Sequence, residues 1–421
     1  MSEPTRDSTS GLAARRGALR LLAHVLRDGR MLTDGASGLD GADAARALRL
    51  ASTVLRHMGR PDALIRQRVE RQPAARTRDV LRLAVVELIA LDEAPHGVVH
   101  DAVALTRESP RTARQAGLVN AVLRGVDASA RAAWDALPPP ALPPWLRAPL
   151  ARAWGQARLE AIETAHLVPP PLDLTVRPGV EMPGAAPLPT GSLRLPGGQV
   201  SALPGYETGG WWVQDAAAAI PARLLGDVAG LDVLDLCAAP GGKTMQLAAA
   251  GARVTALDLS EARLGRLSEN LTRTGLRAET VVADALDWTP AQTFDAVLLD
   301  APCTATGTIR RHPDLPHLRA ARDVEALTRL QYRLLDRALT FVRPGGAVVF
   351  CTCSLLPVEG EHQVKAALAR HPGLAAEPLD PEAFGLPPEA ASAHGLRVLP
   401  DLWPERGHLD GFYMARLRAP G

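Results

Sequence analysis

The chain is poor in the features that would place it outside the ordinary globular classes. No stretch of its 421 residues approaches the ~18 consecutive apolar positions of a membrane span, so the sequence predicts no membrane partner. It has four cysteines, Cys237, Cys303, Cys351 and Cys353, all in the C-terminal half, too sparse for a disulfide scaffold in a chain of this length. Cys351 and Cys353 stand too close for an ordinary structural zinc pair, and no His/Cys set follows them, so no metal is expected. The cysteines are therefore either core packing or chemistry. The chain has two lysines, Lys243 and Lys365, an Arg-for-Lys bias that reflects genome composition rather than function. The N-terminus is Arg-rich with Ser and Thr, but Glu3 and Asp7 argue against a transit peptide, and no apolar core of a signal peptide follows. A cytoplasmic protein is expected, with the first ten or so residues disordered.

A net charge of +1 predicts no nucleic-acid partner by itself, but its distribution is uneven. Residues 1–127 carry 20 arginines against 15 acids, whereas residues 206–421 carry 21 basic residues against 26 acids. A basic first third is compatible with phosphate contacts or with a solvated helical surface.

The residues from 11 to 127 read as helices. Ala47, Leu48, Ala51, Val54, Leu55 and Met58 recur at helical spacing, and Val80–Leu91 is apolar almost all round, so it should be a central buried helix. Val98–Thr106 and Leu118–Leu123 are further helices, giving an all-α domain of roughly five to seven helices. Five prolines within positions 138–144 cannot continue a helix, and residues 128–144 are read as a linker. Residues 145–205 read as a small α+β extension, with a helix near Leu150–His166 and strands near Leu172–Val176 and Ser192–Leu195. Beyond 206 the pattern alternates: Val233–Leu236, Val254–Leu257, Thr280–Ala283, Ala296–Leu299 and Ala347–Thr352 are short apolar runs separated by helical stretches such as Val324–Val342. That alternation predicts a doubly wound, mostly parallel α/β sheet whose ligand sits beyond the C-terminal strand ends.

The run "VLDLCAAPGGKT", residues 233–244, takes a buried strand through a small, Gly-rich turn into a helix. Small residues let backbone N–H groups approach a ligand, and a helix N-terminus favours an anionic group. A phosphate-binding P-loop would need glycine at position 237, where Cys237 stands. Asp258, Asp284 and Asp300 each follow or close a later strand, and acids at successive strand ends face one crevice. Taken singly, each could be no more than a helix N-cap. "DAPCTATGTIRRHPD" (300–314) and "FCTCSLLPVEG" (350–360) each put a cysteine just past a strand end.

In that order these motifs resemble the RNA 5-methylcytosine methyltransferase family, and "LDGFYMARL" (409–417) is similar to that family's closing hairpin. "GLVNAVLRG" (117–125) resembles the antitermination factor NusB, a pairing found in the small-subunit ribosomal RNA branch, the Sun/Fmu type. The resemblance implies an all-α NusB-like domain, a small α+β extension and a Rossmann-like catalytic domain at 206–421. It implies S-adenosylmethionine as cofactor, 16S ribosomal RNA as partner (cytosine 967 in that family) and a monomer. Transfer RNA as substrate, or a non-enzymatic RNA-binding or antitermination role, are the alternatives. By resemblance Cys353 is the nucleophile that adds to carbon 6 of cytosine and Cys303 assists release, whereas DNA cytosine methyltransferases use the Pro-Cys cysteine as nucleophile. Asp300 is expected to bond cytosine or the cofactor amine. Cys237, Ala238, Ala239, Pro240, Gly241, Gly242 and Lys243 are expected at the methionine part of the cofactor, Asp258 at its ribose and Asp284 near its adenine. Arg310, Arg311 and His312 are candidate phosphate contacts or plain surface residues, and Cys351 is expected to be bland. Two positions depart from the family pattern: Cys351, where a small residue is usual, and Gly179, where a polar one is.

Overall fold

The computed structural model describes residues 8–35 and 41–421, so residues 1–7 of the expected disordered N-terminus lie outside the described residues. From Ser8 onward the chain is already helical. Contacts divide the chain into two units: one runs to Ala148 and also takes in Ile309–Arg319, and the other holds Pro149–Thr308 and Ala320–Gly421.

The first unit is helical: α1 (Ser8–Leu26), α2 (Gly41–His57), α3 (Gly59–Arg66), α4 (Ala75–Ile89), α5 (Pro95–Arg107), α6 (Ala116–Arg124) and α7 (Ala128–Ala136). The all-round apolar pattern of α4 has the expected outcome: every residue from Asp79 to Ile89 is buried. Burial on that scale takes charges inside, and each is paired. Glu87 (1% exposed) lies 2.7 Å from Arg15, which also reaches Asp101 at 2.7 Å. Arg82 joins Asp62 at 2.6 Å and Asp79 at 3.1 Å. Such pairs are retained because removing one partner strands the other's charge.

Two expectations are corrected here. Residues 128–136, read as the start of a linker, form α7, N-capped by Asp127, whose side chain accepts from Ala130 N at 3.1 Å. Trp134 of α7 is buried in the helical core against His57, at a ring separation of 5.5 Å. Arg310, offered as a phosphate contact, is fully buried in this unit, with its carbonyl accepting from Arg56 Nη1 at 2.9 Å. A guanidinium withdrawn from solvent is not available to an RNA backbone. Arg311 and His312, on the same excursion of the chain, are half-buried.

The second unit opens on the stretch expected to be one helix. It is two, α8 (Pro144–Trp154) and α9 (Gln156–Ala165), broken at Gly155, whose φ of 80° interrupts the helical backbone. A small antiparallel sheet follows, in the order β2 (Ala186–Pro187), β3 (Leu193–Leu195), β1 (Leu172–Val176), β4 (Trp211–Val213). Its last strand lies beyond residue 205, so the extension runs further than the sequence suggested. Asp173, fully buried, holds this sheet by accepting twice from Arg194, at 2.6 and 2.7 Å.

After the short α10 (Ile220–Arg223) comes the large sheet, with β5 (Asp232–Leu236), β6 (Arg253–Asp258), β7 (Glu279–Val282), β8 (Phe294–Asp300), β9 (Val342–Thr352), β10 (Ala375–Ala376), β11 (Ala391–Ser392), β12 (Gly395–Val398) and β13 (Phe412–Arg418). The order β7-β6-β5-β8-β9 is parallel, and β13 and β12 are then added antiparallel. Helices α11 (Gly242–Ala249), α12 (Glu261–Thr274), α13 (Leu315–Leu318, a turn of the first unit), α14 (Ala321–Phe341) and α15 (Glu361–Arg370) complete the list. Pro344-Gly345-Gly346 lies inside β9, where a register irregularity against β8 accommodates it. The strand order reverses between β5 and β8, so the crevice beyond their C-terminal ends is the ligand position of such a sheet. Among the described residues no helix is long and apolar enough to cross a membrane.

Candidate active site

The loop after β5 carries its ligand geometry in the backbone. Cys237 has φ 61°, Gly241 φ 102°, and the Ala239–Pro240 peptide is cis. A Cβ at Gly241 would stand 2.7 Å from Leu267 of α12, so only glycine lets the loop close onto that helix. Asp258, at the end of β6, is 3% exposed and fixes this loop: its Oδ2 accepts from Ala239 N at 3.1 Å and its Oδ1 from Ser260 N at 3.0 Å. Asp284 lies two residues beyond β7, exposed, its Oδ1 accepting from Leu286 N at 2.9 Å.

Lys243, in the first turn of α11, donates to Asp300 Oδ2 at the end of β8 across 2.7 Å. Burial opposes its charge, but Asp300 beside it wins and holds the ammonium well above the ordinary lysine range. Its Nζ also sits 5.4 Å over the ring of Phe412, the aromatic of the closing "LDGF" segment. Asp300 Oδ1 is approached by the Cys351 thiol at 3.5 Å. Cys351, expected to be bland, thus helps hold that carboxylate. Its own thiol is pushed up, by burial first and by Asp300 second.

Asp235, fully buried in the middle of β5, was missed from sequence. Burial raises its carboxyl to about 7, opposed by the hydrogen bond from Thr244 (2.6 Å) and by the charge of Lys243. Its Oδ1 is buried without a hydrogen-bond partner. Asp235 lines a cleft of about 350 Å³ with Gln214, Lys243, Asn270, Arg273 and Asp300. An acid inside the apolar run "VLDL" was the available signal, since a buried carboxylate needs partners.

Beyond β8 and β9 the two cysteine segments meet. Asp300 is in register with Cys351, so parallel neighbours deliver Cys303 and Cys353 to the same end of the sheet. Their sulfurs are 3.5 Å apart. Backbone bonds hold the two loops: Ala301 N donates to Cys351 O and Gly307 N to Cys353 O, both at 2.9 Å. Gly411 N then donates to Gly307 O at 2.8 Å, and a Cβ on Gly307 would lie 2.0 Å from Gly411 O. The Cys303 thiol is held well above its ordinary value by its hydrogen bond to Cys353, then by burial, then by the charges of Cys353 and Glu359. With the two sulfurs this close, ionising one opposes ionising the other. Of the sequence-derived candidates, the Cys237–Lys243 loop, Asp258, Asp300, Cys303 and Cys353 come together in this unit. Asp284 is exposed in the loop after β7, bonded to Leu286 N, and Arg310, Arg311 and His312 belong to the helical unit.

Comparison with known proteins fits this geometry. The family model described as 16S rRNA methyltransferase RsmB/F matches residues 223–418, and the NusB family model matches residues 12–128. Ribosomal RNA small subunit methyltransferase B of Xanthomonas campestris is 36% identical, covering 97% of this chain and 98% of that protein. The protein of the same name from Pseudomonas putida is 36% identical over 96% of this chain and 98% of its own length. Among solved structures, PH0851 shares the fold over 99% of both chains, with a TM-score of 0.73 at 23% identity. A methyltransferase homologue from Pyrococcus horikoshii, 28% identical, covers 65% of this chain and 94% of its own with a TM-score of 0.53. With likeness running through both the helical unit and the unit that brings the two sulfurs together, this chain belongs to the family of ribosomal RNA small subunit methyltransferase B and is an RNA methyltransferase.

Proposed function

We infer that this enzyme methylates carbon 5 of a cytosine in small-subunit ribosomal RNA, with S-adenosylmethionine as donor and Cys353 as covalent nucleophile. The observation that carries the reading is the 3.5 Å separation of the Cys303 and Cys353 sulfurs at the end of the sheet. Carbon 5 of cytosine is a weak nucleophile. Addition of the Cys353 thiolate to carbon 6 forms a C–S bond and moves electron density to carbon 5, splitting one hard step into easier ones. When bound, the cofactor supplies an electrophilic methyl group to that carbon. Loss of the carbon 5 proton to solvent then allows the C–S bond to break, returning Cys353 as thiolate and restoring the aromatic ring. The Cys303 thiol, 3.5 Å away, is placed to hydrogen-bond the Cys353 sulfur before addition and again as it leaves. Cys353 rather than Cys303 is taken as nucleophile because it stands in the Thr-Cys-Ser segment that resembles the family's nucleophile segment.

The donor set of the cleft fits the cofactor. Asp235, with one buried oxygen lacking a partner, suits an ammonium group. The Cys237–Gly242 turn leaves room for backbone approach to a carboxylate at the start of α11. Asp258 and Asp284 are the candidates for ribose and adenine. Lys243 and Asp300, bonded to each other, offer a donor and an acceptor to a cytosine edge. The base must leave any stack to reach a half-buried sulfur. Exposed arginines of the helical unit, among them Arg66, Arg107, Arg111 and Arg124, would add salt-sensitive backbone affinity.

The test is labelled methyl transfer to 16S RNA, followed by bisulfite mapping of RNA from cells with and without the gene. The expected result is one lost 5-methylcytosine in small-subunit RNA and no transfer by Cys353→Ala. Loss of a transfer-RNA mark alone, or methylation that persists in Cys353→Ala, would overturn the reading.

A further inference from the structure

Glu359 is fully buried, sits six residues beyond Cys353 just before α15, and touches no reacting atom. Its carboxylate nevertheless collects the residues next to both cysteines. Oε1 accepts from Thr304 N at 2.9 Å and from Gln331 Nε2 at 3.1 Å. Oε2 accepts from the Thr304 hydroxyl and from Ser354 Oγ at 2.6 Å. Thr304 follows Cys303 directly, and Ser354 follows Cys353. Gln331 also donates to Pro302 O at 2.9 Å, and the Glu359 carbonyl accepts from Thr352 Oγ1 at 3.1 Å. Every residue flanking the two sulfurs is thus tied, directly or through one side chain, to this one acid.

We propose that Glu359 is a positioning residue for the reaction: one buried carboxylate clasps the Cys303 loop to the Cys353 loop and sets the spacing of the sulfurs. The choice of residue supports this. The four groups donating to it are neutral, and an ionised carboxylate in such a place is costly. Glutamine has the same shape and no charge; its oxygen can keep the Thr304 N and Gln331 bonds, while its NH2 meets the Thr304 and Ser354 hydroxyls only if these turn to accept. The charge has an effect of its own, because Glu359 is among the groups that hold the Cys303 thiol up. An anion beside the sulfur pair resists a second ionisation, so at most one of the two becomes thiolate. The proposal rests on the reading that Cys303 and Cys353 act as a pair.

The experiment compares the full-length natural chain with Glu359→Gln, Glu359→Ala and Ser354→Ala. Iodoacetamide labelling, read peptide by peptide in a mass spectrometer, gives the pH midpoint for Cys303. Diamide oxidation gives the rate of Cys303–Cys353 disulfide formation, a direct reading of sulfur spacing. In Glu359→Gln the labelling midpoint should fall by about half a pH unit or more, with cross-linking within about threefold of natural. In Glu359→Ala cross-linking should slow at least about tenfold, and methyl transfer should lose about a hundredfold in kcat, since misplacement by ~1 Å is costly, with KM for S-adenosylmethionine unchanged. Ser354→Ala, which removes one arm of the clasp, should slow cross-linking in the same direction and decides the matter if Glu359→Ala does not fold. An unmoved Cys303 midpoint in Glu359→Gln, or natural cross-linking rates in both alanine variants, would overturn the proposal. Should the natural chain transfer no methyl group to any RNA, the proposed activity would fail, while labelling and cross-linking would still decide the role of Glu359.

Discussion

Asp235→Asn should stabilise the cofactor-free enzyme above neutral pH and at the same time weaken cofactor binding. Asp235 is fully buried, and its carboxyl is raised from 3.8 to about 7, chiefly by burial. A group whose folded pKa lies above its unfolded value favours the folded state while it is protonated. Below pH ~4 both states hold the proton; between ~4 and ~7 the unfolded chain releases it and the folded one does not, so stability falls as pH rises. A rise of about three pH units at about 1.4 kcal/mol each sets the loss at up to about 4 kcal/mol above pH 7. Asparagine is neutral throughout and keeps an oxygen for the Thr244 hydroxyl, now 2.6 Å from the carboxylate. Its Nδ2 can replace Oδ1, which has no partner to lose. Thermal melting of both proteins from pH 4 to pH 9 should therefore give curves that diverge steadily up to neutrality, with the variant melting higher. Isothermal titration with S-adenosylmethionine should show the variant binding about tenfold to a hundredfold more weakly, the range expected for one lost charged hydrogen bond. A pH-independent difference in melting, or a variant less stable than the natural chain at pH 8, would refute the reasoning.

Cys303→Ala should still add to cytosine, so a denaturation-resistant enzyme–RNA adduct accumulates on gels while turnover falls about 10²- to 10⁴-fold, the usual range for a lost acid–base partner. The reverse pattern, an adduct in Cys353→Ala and none in Cys303→Ala, would exchange their roles. Lys243→Met leaves Asp300 without its cation; with Asp300 partly solvated the cost in urea unfolding should be about 2–3 kcal/mol, below that of a fully buried pair. Arg15→Met strands Glu87 in the helical core and should cost about 3–5 kcal/mol, measured on the helical transition.

The parts of the fold written in periodicity were legible. The all-round apolar run of α4 gave a buried helix, and the Val- and Leu-rich runs gave the parallel strands of the large sheet. Breaks set by single residues were not. Gly155 divides α8 from α9 because of one positive φ, and Pro344-Gly345-Gly346 sits in a strand because β8 can absorb an irregular register. Trp134 drew a segment next to the prolines into the helical core, a decision made by tertiary packing. At the site, the cysteines and strand-end acids could be found because each lies in a run with recognisable neighbours. Asp235 and Glu359 were hidden: one is a polar residue in a strand otherwise read for its apolar neighbours, the other lies inside a run that was read for its cysteines. Arg310 misled for the opposite reason, since a charged side chain in a loop was read as surface and is fully buried.

The meeting of Gly307 with Gly411 carries a consequence for synthesis. β13, which follows Gly411 at once, is not a trailing edge but lies between β9 and β12. A nascent chain that has already made both cysteine segments still lacks the backbone against which the first of them rests. Until β13 inserts between β9 and β12, the Gly307 carbonyl lacks the Gly411 N–H that it accepts from. The two cysteine segments are thus completed by a backbone more than fifty residues further along the chain, and a chain lacking residues 411–418 would keep both sulfurs without that support.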